Sequence, residues 1–378
     1  MTISEFIQDK IKSARIMVVG CGALGNEVLK HLVLSGVSHI VVVDFDVVEA
    51  DNLAHSILFT PDDALQGRRK VDAVAERLHT LNSAVRVTPI FGDVAYDVGL
   101  GIFREMDVVI GCVDNRWARY CINRLCMRAG IPWVDGGIDG LEGTVRVFRP
   151  GENCYACNLG PEGLRDLAYR MPCAGTIRRN IEAGKAPTTS ITASVIGAVQ
   201  VQEAFKLLHP EALTGGRLTS LTGSMFCYEG QHLTTRLVAF KGYDDDCPVH
   251  EQWTPIEQVP VTTAWTTADT LAWMKSHTQS EEVSIQLVDD CFVDYVVRRS
   301  NDSKTTVMQA GRAVADVVAQ DAQLAGIPFS EFYQHEFREI NQTFPYQQLT
   351  LGALGIPHRE VLPVTTGIKT YYFELSAA

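Results

Sequence analysis

A glycine-rich turn joining an apolar strand to a helix constrains this chain more than any other feature. Residues Val18 to Gly25 read VVGCGALG. The apolar run Ile16 to Val19 predicts a short buried strand. Gly20, Gly22 and Gly25 let the backbone turn sharply and bring its N–H groups to a phosphate at a helix N-terminus. That is the fingerprint of a Rossmann-like α/β sheet. Asp44 ends the next apolar run, Ile40 to Val43, about 20 residues past the glycines, where an acidic residue that holds a ribose hydroxyl is expected. NAD and ATP both carry that ribose, so this pattern alone leaves the nucleotide open.

Charge placed farther along separates the two nucleotides. Lys70 begins the helical pattern KVDAVAERLHTL, a poor position for a cation in dipole terms, and a phosphate ligand would account for it. A solvated lysine is the plain alternative. Asp114 closes the strand pattern MDVVIGCVDN at its carboxyl end, where ligands of open α/β sheets sit, and a carboxylate there suits Mg²⁺ on a triphosphate. It could equally cap the following helix, NRWARYCINRLCMRAG.

Composition bounds the function classes. With 378 residues, 46% of them hydrophobic, the chain is long enough for two domains with their own cores. A formal charge of −12 argues against nucleic acid as the main partner, because phosphate backbones need clustered Lys and Arg. Apolar runs fall short of the ~20 residues that span a bilayer and the N-terminus has no signal-peptide pattern, so the expectation is a cytoplasmic protein with no membrane partner. In that compartment ten cysteines point to metal ligands, nucleophiles or core residues rather than disulfides.

The cysteines sort by setting. Cys21, Cys112, Cys121 and Cys126 fall in turn, strand or helix patterns as small buried hydrophobes, and Cys227 and Cys291 sit among apolar neighbours. Cys154 with Cys157 in CYAC, and Cys247 with His250 in CPVH, each have the two-residue gap that lets both side chains bind one ion. Together they predict a closed Cys₃His structural Zn²⁺ site, with unbound surface thiols as the alternative. Cys173 is left over, in RMPCAGTIRRNIEAG, with Arg178 and Arg179 nearby. Cationic neighbours and a helix start lower a thiol pKa, which makes Cys173 the candidate nucleophile; an exposed or metal-side cysteine is the alternative.

GCGALG, SGVSHIVVVDFDVVEADNL, the Gly67 to Lys70 GxxK and CVDN at Cys112 to Asn115 resemble the ubiquitin-activating (E1) enzymes and the bacterial ThiF-MoeB adenylyltransferases of sulfur-carrier proteins, over roughly residues 10 to 250. The resemblance implies an adenylation domain binding ATP and Mg²⁺: Asp44 on the ribose, Asn52 and Lys70 on the phosphates, Asp114 on Mg²⁺, with Asp46 and His55 in the same site. It also implies that zinc clamps the two ligand pairs on either side of a crossover helix, although the last ligand there is generally Cys. Two departures concern positive charge. The family's NLxRQ is Asn52, Leu53, Ala54, His55, Ser56 here, and the N-terminal segment with an arginine is replaced by MTISEFIQDKIKSAR. Lys10, Lys12, Arg15, Arg68 and Arg69 are the candidates to make up the deficit at the α-phosphate.

The expected fold class is therefore α/β: a Rossmann-like adenylation domain with a mostly parallel sheet, zinc-clamped, over residues 1–250, with a catalytic-cysteine loop at about 158–190. The hydroxyl-rich Gly184 to Ser190 leads into a capped helix with apolar positions Ile191, Val195, Ile196, Val199, Val201 and Phe205. In the family, that loop crosses over the substrate's C-terminal tail. Residues 251–378 show short β-like runs, VSIQLV, CFVDYVV and KTYYFEL, with a helical segment AGRAVADVVAQDAQLAG, so a small C-terminal α+β domain is expected. Its end, LTLGALGIPHREVLPVTTGIKTYYFEL, resembles the ubiquitin-fold domain that recruits an E2 conjugating enzyme: a short helical piece closing at leucine-glycine, a turn, then two strands. A dimerisation module is the alternative.

The function implied by the resemblance is adenylation of the terminal glycine of a ubiquitin-like protein, thioester formation on Cys173 and transfer to an E2-type enzyme, by a homodimer. The alternatives are a sulfur-carrier protein adenylyltransferase and a catalytically weak E1-like scaffold. An NAD-dependent dehydrogenase accounts for neither the ligand pairs nor CVDN.

Overall fold

Runs of β-branched residues between polar turns make the central strands of the sheet buried on both faces, while its edge strands are exposed. β1 (Arg15–Val19), β2 (His39–Asp44), β3 (Arg86–Phe91), β4 (Val108–Gly111) and β5 (Trp133–Asp139) pair in parallel. β6 (Glu142–Phe148), β7 (Ser224–Glu229) and β8 (Thr234–Ala239) continue the sheet antiparallel, giving eight strands in the order β3-β2-β1-β4-β5-β6-β7-β8. The order reverses between β1 and β4, the switch point at whose carboxyl ends open α/β sheets bind ligands. The structure, a computed structural model, describes residues 3–160, 163, 189–287, 292–299, 304–310, 329–367 and 369–377. They form two units, with the boundary after Gln252.

Helices α1 (Ile3–Ser13), α2 (Ala23–Leu34), α3 (Pro61–Gln66), α4 (Lys70–Leu81), α5 (Leu100–Phe103), α6 (Arg116–Ala129), α7 (Ser190–Leu207) and α8 (Pro210–Thr214) complete the first unit. Ile16, Val18, Val42, Val108, Ile110 and Val134 of the sheet pack with Val28, Leu29 and Leu32 of α2 and Ile196 of α7, all essentially inaccessible to water. Each such side chain contributes about 1.5–3 kcal/mol of burial. α7 starts as expected, its N-cap Thr189 accepting the Thr192 N–H at 3.1 Å. Of the expected stripe, Ile196 and Val201 are buried and Val195, Val199 and Phe205 half-buried, while Ile191 is 70% exposed; the inward face also takes Thr192, Ala193, Gly197, Gln200 and Ala204. Close approach to α2 is the reason, since a Cβ on Gly197 would lie 3.0 Å from the Glu27 Cβ and only small residues fit there. Among the described residues, no helix is long and apolar enough to cross a membrane.

The second unit has a five-stranded sheet, β14-β10-β15-β16-β9, from β9 (Ile256–Val259), β10 (Ser284–Gln286), β14 (Glu339–Ile340), β15 (Val361–Thr365) and β16 (Thr370–Leu375). β16 runs parallel to β9 and the other neighbours are antiparallel. α9 (Thr267–Thr278), capped by Thr266, buries Leu271 and Met274 in a core with Val259, Ile285, Val364 and Phe373. β11 (Phe292–Arg299), β12 (Lys304–Ala310) and β13 (Phe329–Phe337) make a separate antiparallel sheet, β12-β11-β13. Strands thus form within VSIQLV, CFVDYVV, VLPV and KTYYFEL. The short piece ending in leucine-glycine is a turn rather than a helix, because LGALG holds two glycines in five residues and Gly355 sits at φ 83°. The expected helix AGRAVADVVAQDAQLAG lies, but for Ala310, outside the described residues.

Candidate functional site

The glycine turn is sterically obligatory. Gly20 has φ 98°, and a Cβ there would sit 2.5 Å from the Cys112 carbonyl oxygen; a Cβ on Gly25 would sit 1.9 Å from the Gly20 oxygen. Gly22, the N-cap of α2, has open space where its Cβ would be and no side-chain cap, so the positive end of α2 faces outward. Asn26, fully buried, holds the turn from behind: Nδ2 donates to the Cys21 carbonyl at 2.7 Å and Oδ1 accepts the Leu58 N–H at 2.8 Å.

Asp44 stands at the end of β2 beside this turn. Oδ2 accepts the Cys21 N–H at 2.6 Å and Oδ1 the Asp46 N–H at 2.8 Å. Burial pushes its carboxyl above the ordinary range, against the pull of Lys70 and the two N–H groups. Lys70, the first residue of α4, is buried with Nζ 2.8 Å from Asp46 Oδ2. Burial opposes its charge, but Asp44 and Asp46 outweigh burial and hold the ammonium above the ordinary lysine range. Asn52 is buried in a 3₁₀ turn, Ala50–Ala54, its Oδ1 accepting the Glu49 N–H at 3.0 Å, and half-buried His55 ends that turn.

Asp114 lies across the switch point, after β4. Asn115, not Asp114, caps α6, its Oδ1 accepting the Ala118 N–H at 2.7 Å. The Asp114 carboxylate is exposed, with Asn115 Nδ2 3.3 Å away. The loop bearing it is fixed by a network that the sequence pattern did not reveal. Arg119 NH2 donates to the Val113 and Gly136 carbonyls at 2.7 and 3.1 Å, and Nε donates to Asp135 at 2.9 Å. Asp135, fully buried, also pairs with Arg146, whose guanidinium stands 5.0 Å over the Tyr155 ring. Gln200 of α7 donates to the Gly111 carbonyl at 2.9 Å. The turn, Asp44, Asp46, Lys70 and Asp114 thus share the carboxyl edge of β1, β2 and β4. An anion at the α2 N-terminus with a cation and carboxylates around it is the arrangement a nucleotide triphosphate and its Mg²⁺ would use.

The four expected metal ligands converge in one cluster. Their donor atoms all lie within 4.8 Å of one another: Cys154 Sγ is 3.6 Å from Cys157 Sγ and 3.7 Å from Cys247 Sγ, and Cys157 Sγ is 3.2 Å from His250 Nε2. Tetrahedral Zn²⁺ with Zn–S bonds of about 2.3 Å separates sulfurs by about 3.8 Å, so the donors fit zinc, and they are too far apart to be disulfides. The thiols are already polarised: a hydrogen bond from Cys247 draws Cys154 below the ordinary thiol range against burial, and Cys247 rises in turn. Asn153 Nδ2 donates to the Lys241 and Gly242 carbonyls at 2.9 Å each, tying the two ligand segments together, and Tyr243 stacks on His250 at 4.2 Å.

Burial raises the thiols of Cys21, Cys112 and Cys126, which makes them inert. Cys173, Arg178, Arg179, Cys291 and all of the 158–190 loop except residues 158–160, 163 and 189–190 lie outside the described residues. Of the cations expected to make up for the missing arginine, Lys10 is engaged by Glu211 at 2.7 Å, Arg15 by Glu105, and Arg68 by Asp63 and Glu76 at 2.8 Å each. Lys12 is exposed on α1. Arg69 stands 4.4 Å over the ring of Phe91, the β3 residue paired with Asp44, so it adjoins the nucleotide edge.

A family profile described as the ThiF family matches residues 1–249. Among curated relatives, the SAMP-activating enzyme E1 of Haloferax volcanii is 32% identical over 242 residues, 64% of this chain and 82% of that protein. The adenylyltransferase and sulfurtransferase MOCS3 of Sus scrofa is 30% identical over 241 residues, 64% of this chain but 49% of its own length, so the chain spans about half of that relative. Among solved structures, E. coli MccB with ATP superposes with a TM-score of 0.50 at 22% identity, over 65% of this chain and 69% of that one, a likeness of fold.

Proposed function

Because this chain belongs to the ThiF family, we propose that it is an ATP-dependent adenylyltransferase that activates the C-terminal carboxylate of a ubiquitin-like protein. The observation that carries this reading is the shared edge at the β1/β4 switch point: glycine turn, Asp44, Lys70 and Asp114. Asp44 would take the ribose, Asn52 and Lys70 the phosphates, and Asp114 Mg²⁺, whose charge offsets that of the triphosphate. His55 and Asp46 border the same site, and Arg69 supplies the extra cation. A carboxylate oxygen of the terminal glycine attacks the α-phosphorus, the bond to the β-phosphate oxygen breaks, and pyrophosphate leaves.

The fuller reading is an E1 enzyme. The Cys173 thiolate attacks the adenylate carbonyl, a thioester forms, AMP leaves, and the acyl group passes to the cysteine of an E2-type enzyme docked on the C-terminal domain, residues 251–378. The enzyme works in the cytoplasm as a homodimer. The name of the Haloferax volcanii relative, an activating enzyme E1, supports this version. The name of the MOCS3 relative, adenylyltransferase and sulfurtransferase, supports a second version, in which a sulfur-carrier protein is adenylated and no E2 takes part.

One experiment separates them. The protein and its Cys173→Ala variant are incubated with Mg·ATP and a ubiquitin-like protein ending in glycine, and pyrophosphate release and intact mass are followed without reductant. Pyrophosphate with a thiol-sensitive adduct in the wild type alone supports the E1 reading. Pyrophosphate without adduct supports the sulfur-carrier version, and neither product removes adenylation and leaves a scaffold.

A further inference from the structure

The Asp114 carboxylate is exposed, so the backbone on either side of it must do the fixing, and α6 supplies both anchors. On one side Asn115 caps the helix through the Ala118 N–H at 2.7 Å. On the other, Arg119 reaches back from one turn in, and its NH2 donates to the Val113 carbonyl at 2.7 Å. The same nitrogen donates to the Gly136 carbonyl of β5 at 3.1 Å, so one planar group ties the residue before Asp114 to the neighbouring strand. α6 is itself seated on the sheet. Asn123, one turn beyond Arg119 and fully buried, accepts the Trp133 indole N–H at 3.2 Å and the Tyr155 N–H at 3.0 Å.

The guanidinium is held from behind. Its Nε donates to Asp135 Oδ1 at 2.9 Å, and Asp135, fully buried, accepts Arg146 Nε at 2.9 Å with its other oxygen. With both oxygens engaged, the carboxylate cannot swing, and neither can the Arg119 plane bonded to it. Gly137 leaves room for that plane, since a Cβ there would sit 3.3 Å from Arg119 NH2 and 3.2 Å from Thr144 Oγ1. Buried ion pairs seldom stabilise a fold more than apolar groups of the same volume would. Stability therefore does not account for the trio, whereas geometry does: a fork of fixed N–H directions, which a lysine could not copy, meets the carbonyl next to Asp114.

We propose that Arg119 is a positioning residue: oriented by Asp135, it fixes the segment Val113 to Asn115 and so sets how tightly the site takes Mg²⁺ with the nucleotide. The proposal rests on the adenylation reading, in which Asp114 meets Mg²⁺. Side chains that orient a metal ligand from outside its own contacts govern metal affinity in this way. Arg119 has no part in the other nucleotide contacts of that reading, which belong to the glycine turn, Asp44, Asn52 and Lys70. Its loss should therefore be felt through the metal alone.

The test uses the full chain as wild type, Arg119→Lys, Asp114→Asn and the double variant. Affinity for a non-hydrolysable ATP analogue is measured without added Mg²⁺ and across a Mg²⁺ titration. The lysine keeps the positive charge and loses the fork, so a loss reads geometry rather than charge. We expect Arg119→Lys to bind the metal-free analogue as the wild type does and its Mg²⁺ half-saturation to rise about 10-fold or more. In the Asp114→Asn background the lysine should cost nothing further, because nothing is left for it to position. Equal losses with and without Mg²⁺, or an unchanged Mg²⁺ requirement, overturn the positioning role, and additive losses in the double variant overturn action through Asp114. Should Arg119→Lys not fold, Gly137→Ala decides, since it keeps every charge and sets a Cβ against the guanidinium. Its Mg²⁺ affinity should fall while metal-free binding holds, and unchanged Mg²⁺ affinity overturns the proposal. A wild type that binds the analogue without regard to Mg²⁺ overturns the proposal alone, and one that binds no analogue overturns the adenylation reading with it.

Discussion

Lys70 and Asp46 form an ion pair at 2.8 Å in which the lysine side chain is 9% exposed and the aspartate side chain 51% exposed. The cation is fixed by burial and by the start of α4, whereas its partner is open to water. Asp46 therefore occupies the direction from which a phosphate would approach Lys70. Because the aspartate end is open to water, the pair is worth about 1 kcal/mol. Replacing Asp46 by Asn removes the competitor but keeps the shape, so Mg·ATP should bind about 2- to 5-fold more tightly, the equivalent of that energy. Calorimetric titration of both proteins checks this. Weaker binding in Asp46→Asn would instead make Asp46 a ligand of the nucleotide or its metal.

On the proposed adenylation reading Arg69 is the arginine that would serve the triphosphate, because Arg68 next to it is held by Asp63 and Glu76 while Arg69 rests on the Phe91 ring. A cation–π contact at an accessible site is worth about 0.5–1 kcal/mol, so truncating Arg69 should cost little stability. Pyrophosphate release from Arg69→Ala should fall about 10²-fold or more, the scale of losing one donor to developing charge. Arg68→Ala should show the reverse profile, with stability reduced and turnover largely kept. Steady-state rates and melting temperatures of both variants decide it; equal rate losses would refute a special role for Arg69.

The placement of the glycine turn, Asp44 and Lys70 at one sheet edge was legible because these parts are local in sequence. GxGxxG, Asp44 and Lys70 each sit at a strand end or helix start that short apolar runs mark out, and the spacing of CYAC and CPVH alone predicted four donors that could hold one metal ion. Asp135, Arg146 and Asn123 have no such signature. They follow apolar or mixed patterns and acquire meaning only when β5, β6 and α6 come together, bringing residues 11 to 32 apart into hydrogen-bond contact. The one available hint was a pair of polar residues, Asn123 and Arg124, set between the apolar Ile122 and Leu125 of a helix. On α7 the periodicity found Ile196 and Val201 but placed Ile191 inward and passed over Ala193, Gly197 and Ala204, because it ranks large apolar residues as buried while close packing on α2 selects small ones.

Metal removal should destabilise the first unit measurably. The Cys154, Cys157, Cys247 and His250 donors join segments about 90 residues apart, so a zinc ion held by them would bind the folded cluster far better than the unfolded chain. At a hundredfold excess over Kd this contributes about 2.7 kcal/mol, or roughly 5–10 °C in Tm for a domain of this size. Treatment with a strong chelator should release one zinc per chain and lower Tm by that amount, with recovery on adding zinc back. His250→Cys should keep the metal and His250→Ala should hold it more weakly. A Tm that ignores the chelator, with zinc demonstrably removed, would mean that the clamp is not structural.

Asp63 sets a pH dependence whose sign follows from its contacts. It closes a reciprocal cap with Thr60: its N–H donates to Thr60 Oγ1 at 3.2 Å and its carboxylate accepts the Thr60 N–H at 2.8 Å, while Arg68 NH1 donates to it at 2.8 Å. Burial raises its pKa, but the Thr60 and Arg68 hydrogen bonds outweigh burial and hold it below the ordinary carboxylate range. A folded-state pKa below the unfolded value of about 3.9 means that the stabilisation is present above that pH and is lost as pH falls through the folded value. The loss also matters to the site, since Arg68 and Lys70 are anchored to the chain after β2 by the Val48 N–H to Arg68 carbonyl bond at 2.8 Å and the Lys70 N–H to Asp46 carbonyl bond at 3.0 Å. Asp63→Asn should therefore be less stable by about 1 kcal/mol at pH 7, and the gap should close progressively below about pH 4. Urea unfolding of both proteins at pH 7, 5 and 4 and below reads this directly. A gap that stays constant as the pH falls would show that the Asp63 charge contributes nothing to the cap.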